Sequence, residues 1–218
     1  MEIYNLPKET KALIFDMDLT LYTCPAYGKN QIDNLIAILG KQQGKNFGEM
    51  NKEIEARRKS WAASHGGKKP SLSNLFLEFG VTMDENVKWR EEACEPEKYL
   101  SPDAKLKETL KTLSTLFLLG VVTNNPVSVA ERTLRSLGVE DCFAALVGLD
   151  TCMIPKPHKL PFAKMSELLS IDPKACVSIG DRYDIDIGLP LEMGMGGILV
   201  DGVEDVYELP GILKGGKL

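Results

Sequence analysis

Apolar positions follow two different spacings along this chain. Near the N-terminus, Ala12, Leu13, Ile14 and Phe15 form one unbroken apolar run bounded by polar residues. A strand buried on both faces has that pattern. For about eighty residues afterwards the spacing is helical. Ile32, Leu35, Ile36 and Leu39 fall at i, i+3, i+4 and i+7 and stop at Gly40, an amphipathic stripe. Residues 47–64 predict a second helix with Met50, Ile54 and Trp61 on one side, Trp61 as part of its core. Residues 72–79 and 84–94 predict two shorter helices, and Gly66 to Pro70 is a break.

From Tyr99 onwards short apolar runs alternate with helical stretches. Ser101-Pro102-Asp103 opens a helix to about Thr115, and residues 117–122 predict a strand. Asn125 followed by Pro126 reads as a cap and first helical position, for a helix that runs to Leu137 and stops at Gly138. Strands over 144–148, 175–179 and 197–200 and a helix over 160–170 complete the pattern. Such alternation predicts an α/β fold, a Rossmann-like parallel sheet covered by helices on both faces. The helical segment enters directly after the first strand, so it sits over the strand ends like a lid.

Composition narrows the class. The chain has 218 residues, 44% of them hydrophobic, enough for a real core, and a formal net charge of −5. A nucleic-acid protein normally carries a basic footprint, so a nucleic-acid partner is not expected. The opening residues do not read as a signal peptide, and no apolar stretch approaches membrane-span length. The five cysteines, Cys24, Cys94, Cys142, Cys152 and Cys176, include no CxxC pair and read as reduced thiols of a cytoplasmic protein.

Four predicted strand ends carry polar chemistry. Asp16 and Asp18 lie two residues apart, so both point to one side where the first strand runs out. Two such carboxylates repel unless a cation lies between them or one holds a proton. One acid can then bind a metal or attack while the other moves a proton. Thr123 and Asn124 follow the second core strand. Lys156 lies in the loop after the third, and Asp181, followed by Asp184 and Asp186, ends the fourth. Taken singly, each has an ordinary explanation as a cap, a turn or a solvated loop residue. Their order around one rim sets them apart. Clustered carboxylates suit Mg²⁺, and Lys156 with the Thr123 hydroxyl suits phosphoryl oxygens.

In that order, Asp16-x-Asp18-x-Thr20, Thr123, Lys156-Pro157 with Phe162, and Gly180-Asp181 with Asp186 resemble the four motifs of the haloacid dehalogenase superfamily. The helical insertion stands where that family's C1-type cap stands. The resemblance implies a core of residues 1–20 and 99–218 and a cap of residues 21–98. It implies a Mg²⁺-dependent phosphatase of the small-metabolite branch, nucleotidase-like or phosphoglycolate phosphatase-like. Asp16 would become an aspartyl phosphate, and Asp18 would protonate the leaving alcohol and then deprotonate the attacking water. Asp16, the Asp18 backbone carbonyl, Asp181 and Asp186 would hold the metal; Thr123, Asn124 and Lys156 would hold the phosphoryl group. An acid at position 18 argues against dehalogenation.

The substrate is expected to be a small phosphorylated metabolite, a nucleoside monophosphate first, then phosphoglycolate or a sugar phosphate. A phosphomutase and a non-catalytic binding protein on the same scaffold are the alternatives, and a monomer or homodimer is expected. Tyr22 and Tyr27 are candidates to face the leaving group, and Arg182 for a structural ion pair first and a substrate contact second. Residues 41–69 hold eight basic residues against three acids. That basic stretch reads either as a solvated helix face or as an attractor for anionic substrates.

Overall fold

The computed structural model describes residues 1–67 and 70–214. Six strands form one sheet in the order β1-β6-β5-β2-β3-β4. They are β1 (Glu2–Tyr4), β2 (Ala12–Phe15), β3 (Leu118–Val122), β4 (Ala145–Val147), β5 (Cys176–Gly180) and β6 (Gly196–Leu199). Strands β2 to β6 run parallel, and β1 adds an antiparallel edge against β6. The edge strand goes beyond the sequence reading. Its three residues, Glu-Ile-Tyr, are too few to show a period.

The apolar run Ala12–Phe15 becomes the central strand. Every residue in it is at most 1% exposed, between β3 on one side and β5 on the other. Alternation divides its side chains between the faces. Leu13 and Phe15 join a cluster with Leu110 and Leu113 of α5 (Ala104–Ser114), Leu134 of α6 (Val127–Leu137) and Val206 of the helix Val203–Lys214. Ala12 and Ile14 pack instead with Phe162 and Met165 of the helix Lys159–Leu169. Helices therefore cover both faces, as a parallel sheet requires.

Between β2 and α5 the chain makes four helices with an apolar cluster of their own. They are α1 (Pro25–Gln42), α2 (Phe47–Ser64), α3 (Leu72–Glu78) and α4 (Met83–Ala93). Reciprocal capping boxes, Asn46 with Glu49 and Thr82 with Glu85, start α2 and α4. Leu35, Leu39, Met50, Ile54, Phe76 and Trp89 fill the space between the four. Trp61 departs from its expected place in that core: it is half-buried and stacks on His65 at 4.0 Å. Helix α1 starts earlier than its apolar stripe, with Pro25 in its first turn, and so carries Tyr27 and Gln31 to the sheet rim. Among the described residues no helix is long and apolar enough to cross a membrane.

One predicted cap is corrected. Helix α6 begins at Val127, with Pro126 at the cap position and no side-chain cap. The Val127 N–H donates to Asp150 Oδ1 at 2.9 Å, which leaves the Asn125 side chain for other partners. The predicted stop holds, because Gly138 takes the left-handed conformation with φ 71°.

Candidate active site

The carboxyl ends of β2, β3 and β5 meet under the helical insertion, where the sheet changes its direction of winding. The Asp16 N–H still donates to Ile179 O at 2.7 Å, so the ladder fixes this residue at the rim. A tight turn follows, with Leu21 N–H bonded to Met17 O at 2.9 Å and Leu19 in the left-handed region at φ 58°. Holding a side-chain-bearing residue there costs about 1 kcal/mol. The turn sends Asp16 and Asp18 to different partners.

Asp16 belongs to a charged cluster. Lys156 Nζ donates to Asp16 Oδ1 and to Asp186 Oδ1, both at 2.6 Å, with the Lys156 and Asp186 side chains each only 3% exposed. Burial alone would favour neutral lysine, but the two carboxylates outweigh it and hold the ammonium well above its ordinary pKa. Asp181 completes the group, and one oxygen from each of Asp16, Asp181 and Asp186 lies within 4.8 Å of the others. Burial, then Asp16 and Asp186, push Asp181 up to about 7. Three carboxylates against one ammonium leave two negative charges if all ionise. Hard oxygen donors with that balance fit a divalent cation such as Mg²⁺. Asp184 is outside this cluster, so Asp186 is the acid that accompanies Asp181.

Local sequence explains the cluster's geometry. Tyr183–Ile187 forms a π-helical turn, an irregularity common at functional sites. The turn folds Asp186 back beneath β5, where its carbonyl accepts from Ser178 Oγ at 2.6 Å and its Oδ2 from the Arg182 N–H at 3.2 Å. Only glycine fits at position 180, since a Cβ there would lie 2.4 Å from Asp186 Cβ. Lys156 is pinned through its backbone. Asn124 Oδ1 accepts from the Lys156 N–H at 2.7 Å, and Asn124 Nδ2 donates to the Lys156 carbonyl at 3.2 Å. Both ends of the Asn124 side chain are thus engaged with the lysine loop. Thr123 is buried, its Oγ1 accepts from the Asn125 N–H at 3.1 Å, and it is absent from the lining of the cavity described below.

Asp18 faces the helical insertion instead. Its Oδ1 accepts from the Tyr22 hydroxyl and from Gln31 Nε2 at 3.0 Å, and its Oδ2 accepts from Asn125 Nδ2 at 2.8 Å. Burial and the neighbouring Asp16 raise its pKa, against the hydrogen bonds from Tyr22 and Gln31 and the charge of Arg90. Tyr22 thus meets the acid rather than a leaving group, and Tyr27 is fully buried beside it at a ring separation of 5.8 Å. Neither tyrosine lines the cavity.

That cavity has a volume of about 220 Å³ and runs from Asp16, Lys156 and Asp181 to Arg90 of α4. Gln31, Arg90 and Asn125 are site residues beyond the sequence reading. A signal existed for one of them: Gln31 precedes Leu35 by one turn on the apolar face of its helix, so it is a polar group on a buried face. The basic residues counted in 41–69 do not line the cavity where they are described. Lys45, Arg57 and Arg58 pair with Glu53, Glu78 and Glu55, while Lys68 and Lys69 lie outside the described residues. Arg182 lines the cavity beside Asp181 and lowers that acid's pKa against the other influences.

Residues 10–191 match the haloacid dehalogenase-like hydrolases. The phosphoglycolate phosphatase of Pasteurella multocida is 30% identical over 130 residues, covering 58% of this chain and 54% of its own length. That of Pectobacterium atrosepticum is 28% identical over 126 residues, covering 49% of this chain and 54% of its own. The chain thus spans about half the length of the curated relatives it matches. Among solved structures, a HAD phosphatase from Thermococcus onnurineus superposes with a TM-score of 0.65 at 22% identity, covering 96% of this chain and 100% of that one. A 2-haloacid dehalogenase from Pseudomonas syringae superposes at 0.60 and 23%, covering 94% and 99%. These two likenesses are of fold. A phosphatase and a dehalogenase share it, so the side chains must decide the chemistry.

Proposed function

The chain belongs to the haloacid dehalogenase-like hydrolases, and we propose that it is a Mg²⁺-dependent phosphomonoesterase acting on a small phosphorylated metabolite. One observation carries this reading. Two aspartates on one strand end are sorted into different environments, Asp16 against an ammonium and two further carboxylates, Asp18 against three neutral donors.

The division suits covalent phosphoryl transfer. An Asp16 oxygen attacks phosphorus, the P–O bond to the alcohol breaks, and its electron pair leaves on the alcohol oxygen. Asp18 gives that oxygen a proton; its raised pKa fits a group that must hold one. Asp18 then takes a proton from water as the water oxygen attacks phosphorus. The P–O bond to Asp16 breaks, releasing inorganic phosphate and restoring both carboxylates' starting forms. Lys156 supplies positive charge to the transferring group's oxygens, and Asn124 acts through Lys156 by fixing its backbone. Asp16, Asp181 and Asp186, with the Asp18 backbone carbonyl, would hold Mg²⁺, which neutralises charge on the phosphoryl oxygens when bound.

The cavity volume bears on the substrate. About 220 Å³ is below the range of ~300–1,000 Å³ typical of larger ligands. A nucleoside monophosphate brings a ribose and a base beyond its phosphate, so the size favours a shorter ester. The names of the relatives point to phosphoglycolate.

The test is release of inorganic phosphate from a panel of phosphorylated metabolites and p-nitrophenyl phosphate, with Mg²⁺ and with chelator, beside Asp16→Asn. Mg²⁺-dependent release that disappears in the variant supports the reading. Phosphate transferred within the substrate without release indicates a mutase, and no reaction with any ester refutes both.

A further inference from the structure

Across the cavity from the carboxylates stands a buried cation whose bonds are all to neutral oxygens. Arg90 is 7% exposed. Its Nε donates to Asn86 Oδ1 at 3.0 Å, Nη1 to Asn125 Oδ1 at 2.8 Å and Nη2 to Ser73 Oγ at 3.2 Å. Among the described residues no carboxylate lies within ion-pair distance of it. A guanidinium has five N–H donors, so two remain, one on each Nη. A buried charge is costly without an anionic partner, and three bonds to neutral groups hold the fork in place without cancelling its charge.

Its position relative to the reacting atoms follows from one side chain. Asn125 receives Arg90 on its Oδ1 and donates from its Nδ2 to Asp18 Oδ2 at 2.8 Å. The guanidinium therefore stands one amide group beyond the acid. On the phosphomonoesterase reading, the phosphoryl group sits at Asp16 and Lys156 and the leaving oxygen at Asp18. Whatever the leaving alcohol carries continues towards Arg90, within a cavity of about 220 Å³.

We propose that Arg90 is a specificity-determining residue that binds a carboxylate on the leaving alcohol, so the substrate class is the short phosphomonoester of a hydroxy acid, an anion at both ends. A planar fork and a carboxylate match two N–H groups to two oxygens. A neutral tail would leave the arginine charge buried and unpaired, which makes the same group a discriminator against neutral alcohols. This inference rests on the phosphomonoesterase reading and adds the identity of the second anchor.

The test compares 2-phosphoglycolate with ethyl phosphate, which has a neutral tail of similar length, in wild type, Arg90→Gln and Arg90→Lys. Wild type is expected to favour 2-phosphoglycolate in kcat/KM by about 10–100-fold, the value of one or two charge-assisted bonds. In Arg90→Gln this preference collapses, chiefly through KM. Arg90→Lys, which keeps the charge and loses the fork, falls between. A wild-type preference below about threefold, or one unchanged in Arg90→Gln, overturns the proposal. If either variant misfolds, wild type still decides through the relative strengths of the two esters as competitive inhibitors of p-nitrophenyl phosphate turnover. If no ester is hydrolysed, the phosphomonoesterase reading falls by itself. Calorimetric titration of Asp16→Asn with 2-phosphoglycolate and Mg²⁺ then separates the two ideas. Binding lost on adding Arg90→Gln keeps the anchor, and no binding removes it.

Discussion

Asn125 Nδ2 lies 2.8 Å from Asp18 Oδ2, joining residues 107 positions apart through an amide that is 1% exposed. Together with Tyr22 and Gln31 it holds both oxygens of Asp18, so the acid's direction is set by neighbours from the turn after β2, from α1 and from the loop after β3. Removing this one donor should disturb proton delivery more than phosphoryl binding. Asn125→Ala is expected to lower kcat about 10–100-fold for alkyl phosphates, part of what a positioned general acid supplies. The loss should be smaller for p-nitrophenyl phosphate, whose leaving group needs little protonation. Rates across a series of leaving-group pKa values check this; a uniform loss would show that Asn125 acts on something other than Asp18.

Lys156 contacts both Asp16 and Asp186 from a buried position. Lys156→Met keeps most of the side-chain volume and deletes the charge. Leaving buried carboxylates unpaired costs on the order of 3–5 kcal/mol. The variant is expected to unfold at markedly lower denaturant concentration, with partial recovery in Mg²⁺, because a cation bound at the same acids restores part of the balance. Denaturant titrations with and without Mg²⁺ measure both effects. A variant as stable as wild type would show that the ammonium is replaceable by solvent.

Asp181 is half-buried, and its neighbours resist its ionisation. Substitution by Asn should therefore separate metal binding from folding. Wild type is expected to gain about 2.7 kcal/mol at a Mg²⁺ concentration one hundred times its Kd. Asp181→Asn should lose most of that gain while matching or exceeding wild type in chelator, since a repelling carboxylate has gone. Thermal unfolding over a Mg²⁺ series checks the prediction. An undiminished Mg²⁺ response in the variant would place the ion elsewhere.

Local pattern carried the sheet and missed the contacts between distant segments. Ala12–Phe15 reads as a buried strand because four consecutive apolar residues need cover on both sides, and the rim acids follow from where such strands end. Asn125 reads as a helix cap because Asn before Pro is a good one. Nothing local records that Asp150, 23 positions later, reaches Val127 first. Arg90 is harder still. Its partners Ser73, Asn86 and Asn125 come from α3, α4 and the β3 loop, and a single basic residue inside a helix is indistinguishable from a solvated one until its face is known to be buried. The charge-rich stretch 41–69 misleads in the opposite sense, since abundance of lysine and arginine says nothing about which way they face.

The junction between the helical insertion and the sheet carries a pH-sensitive contact. Glu97 follows α4 and accepts from Arg132 of α6 through both oxygens, at 2.6 and 2.8 Å. The guanidinium's hydrogen bonds lower the Glu97 pKa, against a smaller opposing effect of burial. A carboxylate depressed in the folded state stabilises at pH above its unfolded value, about 4.3, and loses that contribution as pH falls through the folded value. The glutamate side chain is 50% exposed and the arginine 33%, so screening keeps the pair below about 1 kcal/mol. Glu97→Gln should therefore melt about 2–4 °C lower than wild type near neutral pH at most. The difference should shrink steadily below about pH 4 and vanish once both proteins carry a neutral side chain there. Paired melting curves between about pH 3 and pH 7 decide it. A gap that persists unchanged at the acidic end would mean that the glutamate acts through packing, and that charge plays no part in holding this junction.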